Sequence, residues 1–178
     1  RSVATTMGMT ALDGLPMGQR SGALDPGILL YLIEQRGMSP ADLRQMLYER
    51  SGLLGLSGIS GEMTDLLASK HDDAARAVDF FVYRCQREIG SLVAALGGLD
   101  ALVFTGGIGE HAPEIRERIC AGLGWLGVAL DADTNRSGAT QLSALDARIA
   151  TLMIPTDEEA VLARNAEGLL QSSSADTG

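Results

Sequence analysis

Ala101-Leu102-Val103-Phe104-Thr105-Gly106-Gly107-Ile108-Gly109-Glu110-His111 is the stretch that decides the fold class. Its first five residues are a short apolar run, of the kind buried on both faces of a mainly parallel sheet. Glycines follow at once, and Ala112-Pro113-Glu114 then opens a helical pattern that runs to about Leu123. A strand that passes the chain directly into a glycine turn and a helix is a building unit of α/β folds. Glycines let a ligand approach the main chain, and the helix behind them offers unpaired amides and a positive dipole end. That arrangement suits a nucleotide. It equally suits a tight strand-to-helix turn with no ligand, and the local sequence leaves both readings open.

Working outward, Asp25 as cap, Pro26 at the first helical position and Gly37 past the end predict a helix through Ile28-Leu29-Leu30-Tyr31-Leu32-Ile33. Ser39-Pro40-Ala41-Asp42 repeats the opening for a second helix that reaches about Arg50. Ser57 to Gly61 reads as a loop and Glu62 to Ser69 as a short helix. From Asp72 to Leu96, the residues Val78, Val82, Cys85, Ile89, Leu92, Val93 and Leu96 recur at helical spacing, and Gly97-Gly98 ends the pattern. Val128-Ala129-Leu130 and Arg148 to Ile154 are two more strand candidates. A last helix is expected from Asp157 to Leu170, then a disordered polar tail over 172–178. The pattern is one helix-rich α/β domain over 1–171, without repeat or linker.

Of 178 residues, 46% are hydrophobic and 21% charged, the composition of an ordinary globular protein. Aromatics are 4%, so the core must rest on Leu, Ile, Val, Ala and Met. A net charge of −9 argues against a nucleic-acid partner, which needs clustered Lys and Arg. Cys85 and Cys120 fall in apolar helical patterns and read as buried free thiols in a reducing cytoplasm. No apolar run approaches the roughly 20 residues that cross a bilayer, so no membrane partner is expected. Arg1 to Thr6 has no signal-peptide character and no initiator Met, so the chain is expected to continue upstream.

Several residues carry two readings each. Arg20, in the Gly-flanked loop Met17 to Gly22, either clamps phosphate oxygens or serves as a solvated or ion-paired residue. Glu158 and Glu159 either complement the dipole of the last helix or reach a magnesium ion. Gly107-x-Gly109-x-x-Ala112, with Asp131 downstream, satisfies a dinucleotide fingerprint, although such a fingerprint usually opens a domain. His71 has no metal-ligating partner nearby, and His111 is a possible ligand contact. Trp125, between glycines, reads as a packing anchor. Met7, Met9 and Met17 line either a surface or the core.

Taken in order, these segments resemble the acetate kinase family. The shared stretches are Thr6 to Thr10, Gly14-Leu15-Pro16-Met17-Gly18-Gln19-Arg20-Ser21-Gly22, Leu24 to Gly27 and Ser57-Gly58-Ile59-Ser60. They continue through Val103 to Glu110, Gly127 to Asp131, and Ile154-Pro155-Thr156-Asp157-Glu158-Glu159. The resemblance implies an actin-like ATPase (ribonuclease-H-like) domain, α/β, with a mixed sheet and flanking helices. It implies a cytoplasmic homodimer that uses ATP, acetate and Mg2+ to make ADP and acetyl phosphate, with this domain holding nucleotide and the dimer contact. By motif, Arg20 is then the arginine on the transferring phosphoryl group. Gly107, Ile108, Gly109, Glu110 and His111 form the adenosine-side loop, and Glu158 is the magnesium-associated carboxylate. Glu62, Met63 and Thr64 stand where the family has an acidic residue, an apolar one and an Arg, so Thr64 removes one nucleotide contact. His111 stands where Asn is common.

The family's N-terminal domain, with its catalytic aspartate and acetate-binding arginine, has no counterpart in these residues, nor has its His-x-Gly-x-Gly stretch. The expectation is therefore a C-terminal half that is inactive alone. A non-catalytic nucleotide-binding or dimerisation module and a propionate or butyrate kinase half are the alternatives.

Overall fold

The computed structural model describes residues 1–157, 159 and 160. Its elements are α1 (Pro26–Arg36), α2 (Pro40–Glu49), α3 (Gly52–Ser57), α4 (Met63–Ala68), α5 (Asp72–Leu96), β1 (Ala101–Phe104), α6 (Gly106–His111), α7 (Pro113–Ala121), α8 (Ala132–Ser137) and β2 (Ala150–Met153). The first two helices start as their sequences dictate. Asp25 Oδ1 accepts the amide of Gly27 at 2.8 Å, and Gly37 closes α1 in the left-handed conformation. Ser39 and Asp42 exchange side-chain and backbone bonds in a capping box.

The core is organised by α5, which packs against α3, α4 and α7. Ala74, Ala77, Val78, Phe81, Val82 and Cys85 form its buried stripe. Leu53, Met63 and Leu66 meet that stripe from one side, and Ile115, Ile119, Cys120 and Leu123 from the other. The stripe predicted to run on to Leu96 surfaces before the helix ends, and Leu96 is 53% exposed. Helix α7 has nine residues against twenty-five in α5, so it cannot cover the last turns. Both cysteines are buried and free, and burial pushes each thiol up to about 12.

Strands β1 and β2 pair in parallel, Ala101 opposite Ala150 through Phe104 opposite Met153. Among the described residues the sheet has these two strands, and isolated antiparallel bridges Gln141–Leu152 and Leu130–Ser143 lie at its side, so the mixed sheet expected from the sequence is present only as single bridges. Three further sequence expectations change here. Strand β1 is not buried on both faces: Leu102 and Phe104 pack on the core, while Val103 is 45% exposed on a face that no described element covers. Val128 to Leu130 makes one bridge rather than a strand, because Asp131 leaves the ladder to cap the unpredicted α8. Trp125 is 68% exposed; in the tight turn Gly124–Leu126 it is Leu126 that packs inward. Helix α3, between two loops, also escaped prediction. Among the described residues no helix is long and apolar enough to cross a membrane. Most of the predicted last helix, Glu158 and the 172–178 tail lie outside the described residues.

Candidate functional site

The stretch that decides the fold also builds the first half of the site. Thr105 is extended, Gly106 turns with φ +73°, and the six residues Gly106–His111 form α6 rather than an open turn. The turn is tied to the exit of β2 by one carboxylate. Glu110 Oε1 accepts the amides of Gly106 (2.7 Å) and Thr156 (2.8 Å). Thr156 Oγ1 accepts from Gly106 N at 3.0 Å and lies 2.6 Å from Thr105 Oγ1. The amide of Thr156, above all, holds the Glu110 carboxyl below the usual carboxylate range. The Thr105–Thr156 pair was missed from sequence, since two threonines 51 positions apart carry no local signal.

This latch leaves the turn open. Gly106, Gly107, Glu110, Thr156, Asp157 and Glu159 line a cleft of about 490 Å³. Among the described residues no heavy atom stands within 4 Å of the point a Cβ would occupy on Gly106 or Gly107. The amides of Gly107 and Ile108, at the start of α6, have no acceptor among the described residues. Ile108 packs its side chain on the core, and Gly109 lies against Phe104, so the sides of α6 they occupy do not line the cleft. His111 is exposed at the far end of α6. Asp157 uses Oδ1 to accept the amide of Ala160, and Glu159 is exposed. Among the described residues no cluster of three or more His, Cys, Asp or Glu side chains forms a metal site, and Asp157 and Glu159 stand at the cleft as separate carboxylates. Glu158 lies outside the described residues.

Behind the turn, Arg116 is buried to 1% exposure. Its Nη1 donates to the carbonyls of Gly109 (2.8 Å) and Glu110 (2.9 Å), and Nε and Nη2 donate to Asn135 Oδ1 (2.8 Å) and its carbonyl (2.6 Å). Sequence reading passed over it as one charge of Glu114-Ile115-Arg116-Glu117-Arg118. The available signal was Pro113, which deprives Gly109 of its helical donor.

The second half surrounds Arg20. Its loop is laced to the start of α3: Ser51 N donates to Gln19 O (2.9 Å), Leu53 N to Met17 O (2.9 Å) and Leu54 N to Gly18 O (2.8 Å). Gly18 also abuts Gly61, where a Cβ on either would stand within 2.9 Å of the other's carbonyl oxygen. That contact brings Glu62, Met63 and Thr64 beside the loop of Arg20. Arg20 is half-buried, and its guanidinium has no hydrogen-bond or ion-pair partner among the described residues. Glu62 and Thr64 are exposed, but Met63 is a core residue at 5% exposure, so its side chain is spent on packing. Among the described residues no hydrogen bond joins the Arg20 loop to 106–111; the two halves share the α5 core instead.

The dinucleotide reading fails on this geometry. Asp131 Oδ1 accepts the amides of Asp133 and Thr134 as the cap of α8, so it is not free at the end of a strand to meet a ribose. From Gly109 the chain runs through α7 into α8, without the strand a dinucleotide fold places there.

Residues 1–164 match the model of the Acetokinase family. The acetate kinase of Rhodopseudomonas palustris strain TIE-1 is 59% identical over 167 residues, covering 93% of this chain and 42% of that protein. The crystal structure of Porphyromonas gingivalis acetate kinase superposes with TM-score 0.85 at 34% identity, covering 93% of this chain and 43% of its own. A propionate kinase from Francisella tularensis subsp. tularensis SCHU S4 does so with TM-score 0.81 at 38% identity, over 86% and 40%. The chain thus spans well under half the length of these relatives. The family match over nearly all its residues, and the latched glycine turn in the fold those structures share, agree: this chain belongs to the Acetokinase family and has its α/β, actin-like ATPase architecture.

Proposed function

We propose that this chain is the nucleotide-holding half of a kinase that moves the γ-phosphoryl group of ATP to acetate. A carboxylate oxygen of acetate attacks the γ-phosphorus in line, the bond to the β–γ bridging oxygen breaks, and acetyl phosphate and ADP result. Such a transfer needs positioning and neutralisation of spreading negative charge more than it needs covalent help. The observation that carries the reading is the half-buried Arg20, a guanidinium with no protein partner among the described residues. A free planar fork of donors is suited to phosphoryl oxygens. The open amides of Gly107 and Ile108 supply hydrogen bonds to the nucleotide, and Asp157, Glu158 and Glu159 are the carboxylates available to magnesium. That ion, when bound, would add charge neutralisation at the phosphates. Glu62 and Thr64 flank the nucleotide from the Arg20 side. With Thr64 in place of an arginine, that contact is a neutral hydroxyl.

The acceptor-binding and in-line groups are assigned to the remainder of the whole protein, so the 178-residue chain alone binds nucleotide without turnover. Detection of acetyl phosphate from the full-length protein, trapped as the hydroxamate, tests the assignment; ATP and acetate giving none above background would end it. The similarity to a propionate kinase favours a second acceptor. Comparing kcat/KM for acetate, propionate and butyrate separates the two. A homodimer is part of the proposal, supported by Leu24, Ile28, Leu30, Tyr31 and Ile33, which α1 and its approach leave 42–57% exposed. A cytoplasmic setting suits the two free thiols.

A further inference from the structure

Arg116 is a charge in the wrong place for packing alone. Its side chain is the largest of the fully buried ones, and no carboxylate among the described residues pairs with it. Removing a guanidinium from water is costly, and an apolar side chain of similar volume would avoid that cost. The surroundings show what the charge answers. In a continuing helix the carbonyl of Gly109 would meet the N–H of residue 113, but Pro113 has none. Ala112 leaves helical geometry at φ −116°, ψ 79°, which carries the next amides away into α7. Nη1 of Arg116 replaces both missing donors, bonding the carbonyls of Gly109 and Glu110. The positive group also meets the negative end of the α6 dipole. Asn135 then fixes the guanidinium through Oδ1 and its carbonyl, while Asn135 Nδ2 donates to the carbonyl of Pro113 at 2.9 Å.

We propose that Arg116, held by Asn135, is a positioning residue that sets the aim of the α6 amides at the adenine nucleotide and steadies the Glu110 latch beneath them. This rests on the nucleotide reading given above. Helix α6 is only about 9 Å long at 1.5 Å per residue, so a tilt at its carbonyl end reaches Gly107 and Ile108 undamped. Glu110, whose carbonyl Arg116 holds, is also the residue that latches Gly106 to Thr156.

Steady-state kinetics of the full-length enzyme test this with Arg116→Met, Arg116→Lys and a buried control outside the α5–α7 cluster, Leu43→Ala on α2. Arg116→Met is expected to raise KM for ATP roughly tenfold or more, with KM for acetate within about twofold of wild type. Arg116→Lys, a charge with fewer directed donors, should recover part of the loss and stay about threefold above wild type. Leu43→Ala should lower the melting temperature and leave KM for ATP unchanged. An unchanged KM for ATP in Arg116→Met, or an equal rise in Leu43→Ala, would overturn the proposal. If Arg116→Met does not fold, an unchanged KM for ATP in Arg116→Lys overturns it equally. A wild-type enzyme that binds no ADP would remove the nucleotide reading and this inference together, a result visible before any variant is made.

Discussion

Gly52→Ala is the substitution that probes most directly how Arg20 is held. Gly52 opens α3 at φ +60°, and a Cβ there would stand 2.6 Å from the carbonyl oxygen of Arg20 and closer still to that of Met17. Both atoms belong to the loop that carries the guanidinium. The left-handed backbone costs an alanine about 1–2 kcal/mol. Relieving the clash moves the loop by about an ångström, enough to break the bonds from Leu53 N to Met17 O and from Met17 N to Arg20 O. At about 1 kcal/mol each, these bring the total to roughly 3–4 kcal/mol. Gly37→Ala is the matched control: its φ is +64°, but among the described residues no heavy atom lies within 4 Å of its Cβ position. It should cost only the backbone share, about 1–2 kcal/mol. Urea denaturation of both variants, with m compared to wild type, gives the difference. In the full-length enzyme Gly52→Ala should also lower kcat, because it displaces the guanidinium that we propose meets the transferring phosphoryl group. Equal costs for the two glycines would show that the loop is not clamped on α3 and would refute the reasoning.

Glu110→Gln keeps an acceptor but loses its charge, so ADP affinity of the chain should fall in calorimetry while the fold persists by circular dichroism. The depressed Glu110 carboxyl contributes stability that is present above its ordinary value of 4.5 and is lost as pH falls through its folded value. The acid limb of a stability–pH profile should therefore flatten in Glu110→Gln. Thr151 is wholly buried and its Oγ1 has no partner among the described residues, so Thr151→Val should raise stability by about 1 kcal/mol in thermal melts, opposite to the usual sign for a core substitution. Cys85 and Cys120 should resist an aromatic disulfide reagent until denaturant is added. Their thiols sit at about 12 in the fold against 9.0 in the open chain, so stability should decline as pH rises between those values.

What could be read in advance was local. The cap, proline and glycine signals of α1 and α2 act over four residues, and the period of α5 over one helix face, so each was visible in sequence. Helix α3 was not, because it has no side-chain cap and begins at a glycine whose φ is set by the Arg20 loop above it. Helix α8 was hidden because Asp131 looked like the end of a strand, and capping competes with pairing at such a residue. The site divides the same way. Glycines at 106–109 announced an approach to the main chain, and among the described residues the structure leaves Gly106 and Gly107 open while Gly109 packs on Phe104. Glu110 reads as a ligand contact in sequence, yet its carboxylate spends itself on two amides from segments 50 positions apart. Arg116 and Asn135 depend on a meeting of α6, α7 and α8 that no short pattern encodes.

The two halves of the site are joined by packing rather than by hydrogen bonds, and that has a consequence for how they can move. The Arg20 loop is fastened to α3, and α3 and α4 lie on one flank of α5. The glycine turn is fastened through Arg116 to α7, which lies on another flank of α5 and shares the buried cluster with it. A close-packed interior transmits small shifts instead of absorbing them. The distance between the Arg20 guanidinium and the α6 amides, which we propose face the phosphoryl group and the nucleotide, is therefore set by the side chains on the buried face of α5. Truncating Val78, at 2% exposure in the centre of that face, should disturb both halves at once. Kinetics of Val78→Ala in the full-length enzyme should show KM for ATP and kcat changing together. A change in only one of them would mean that the halves are positioned independently and that α5 is not their common frame.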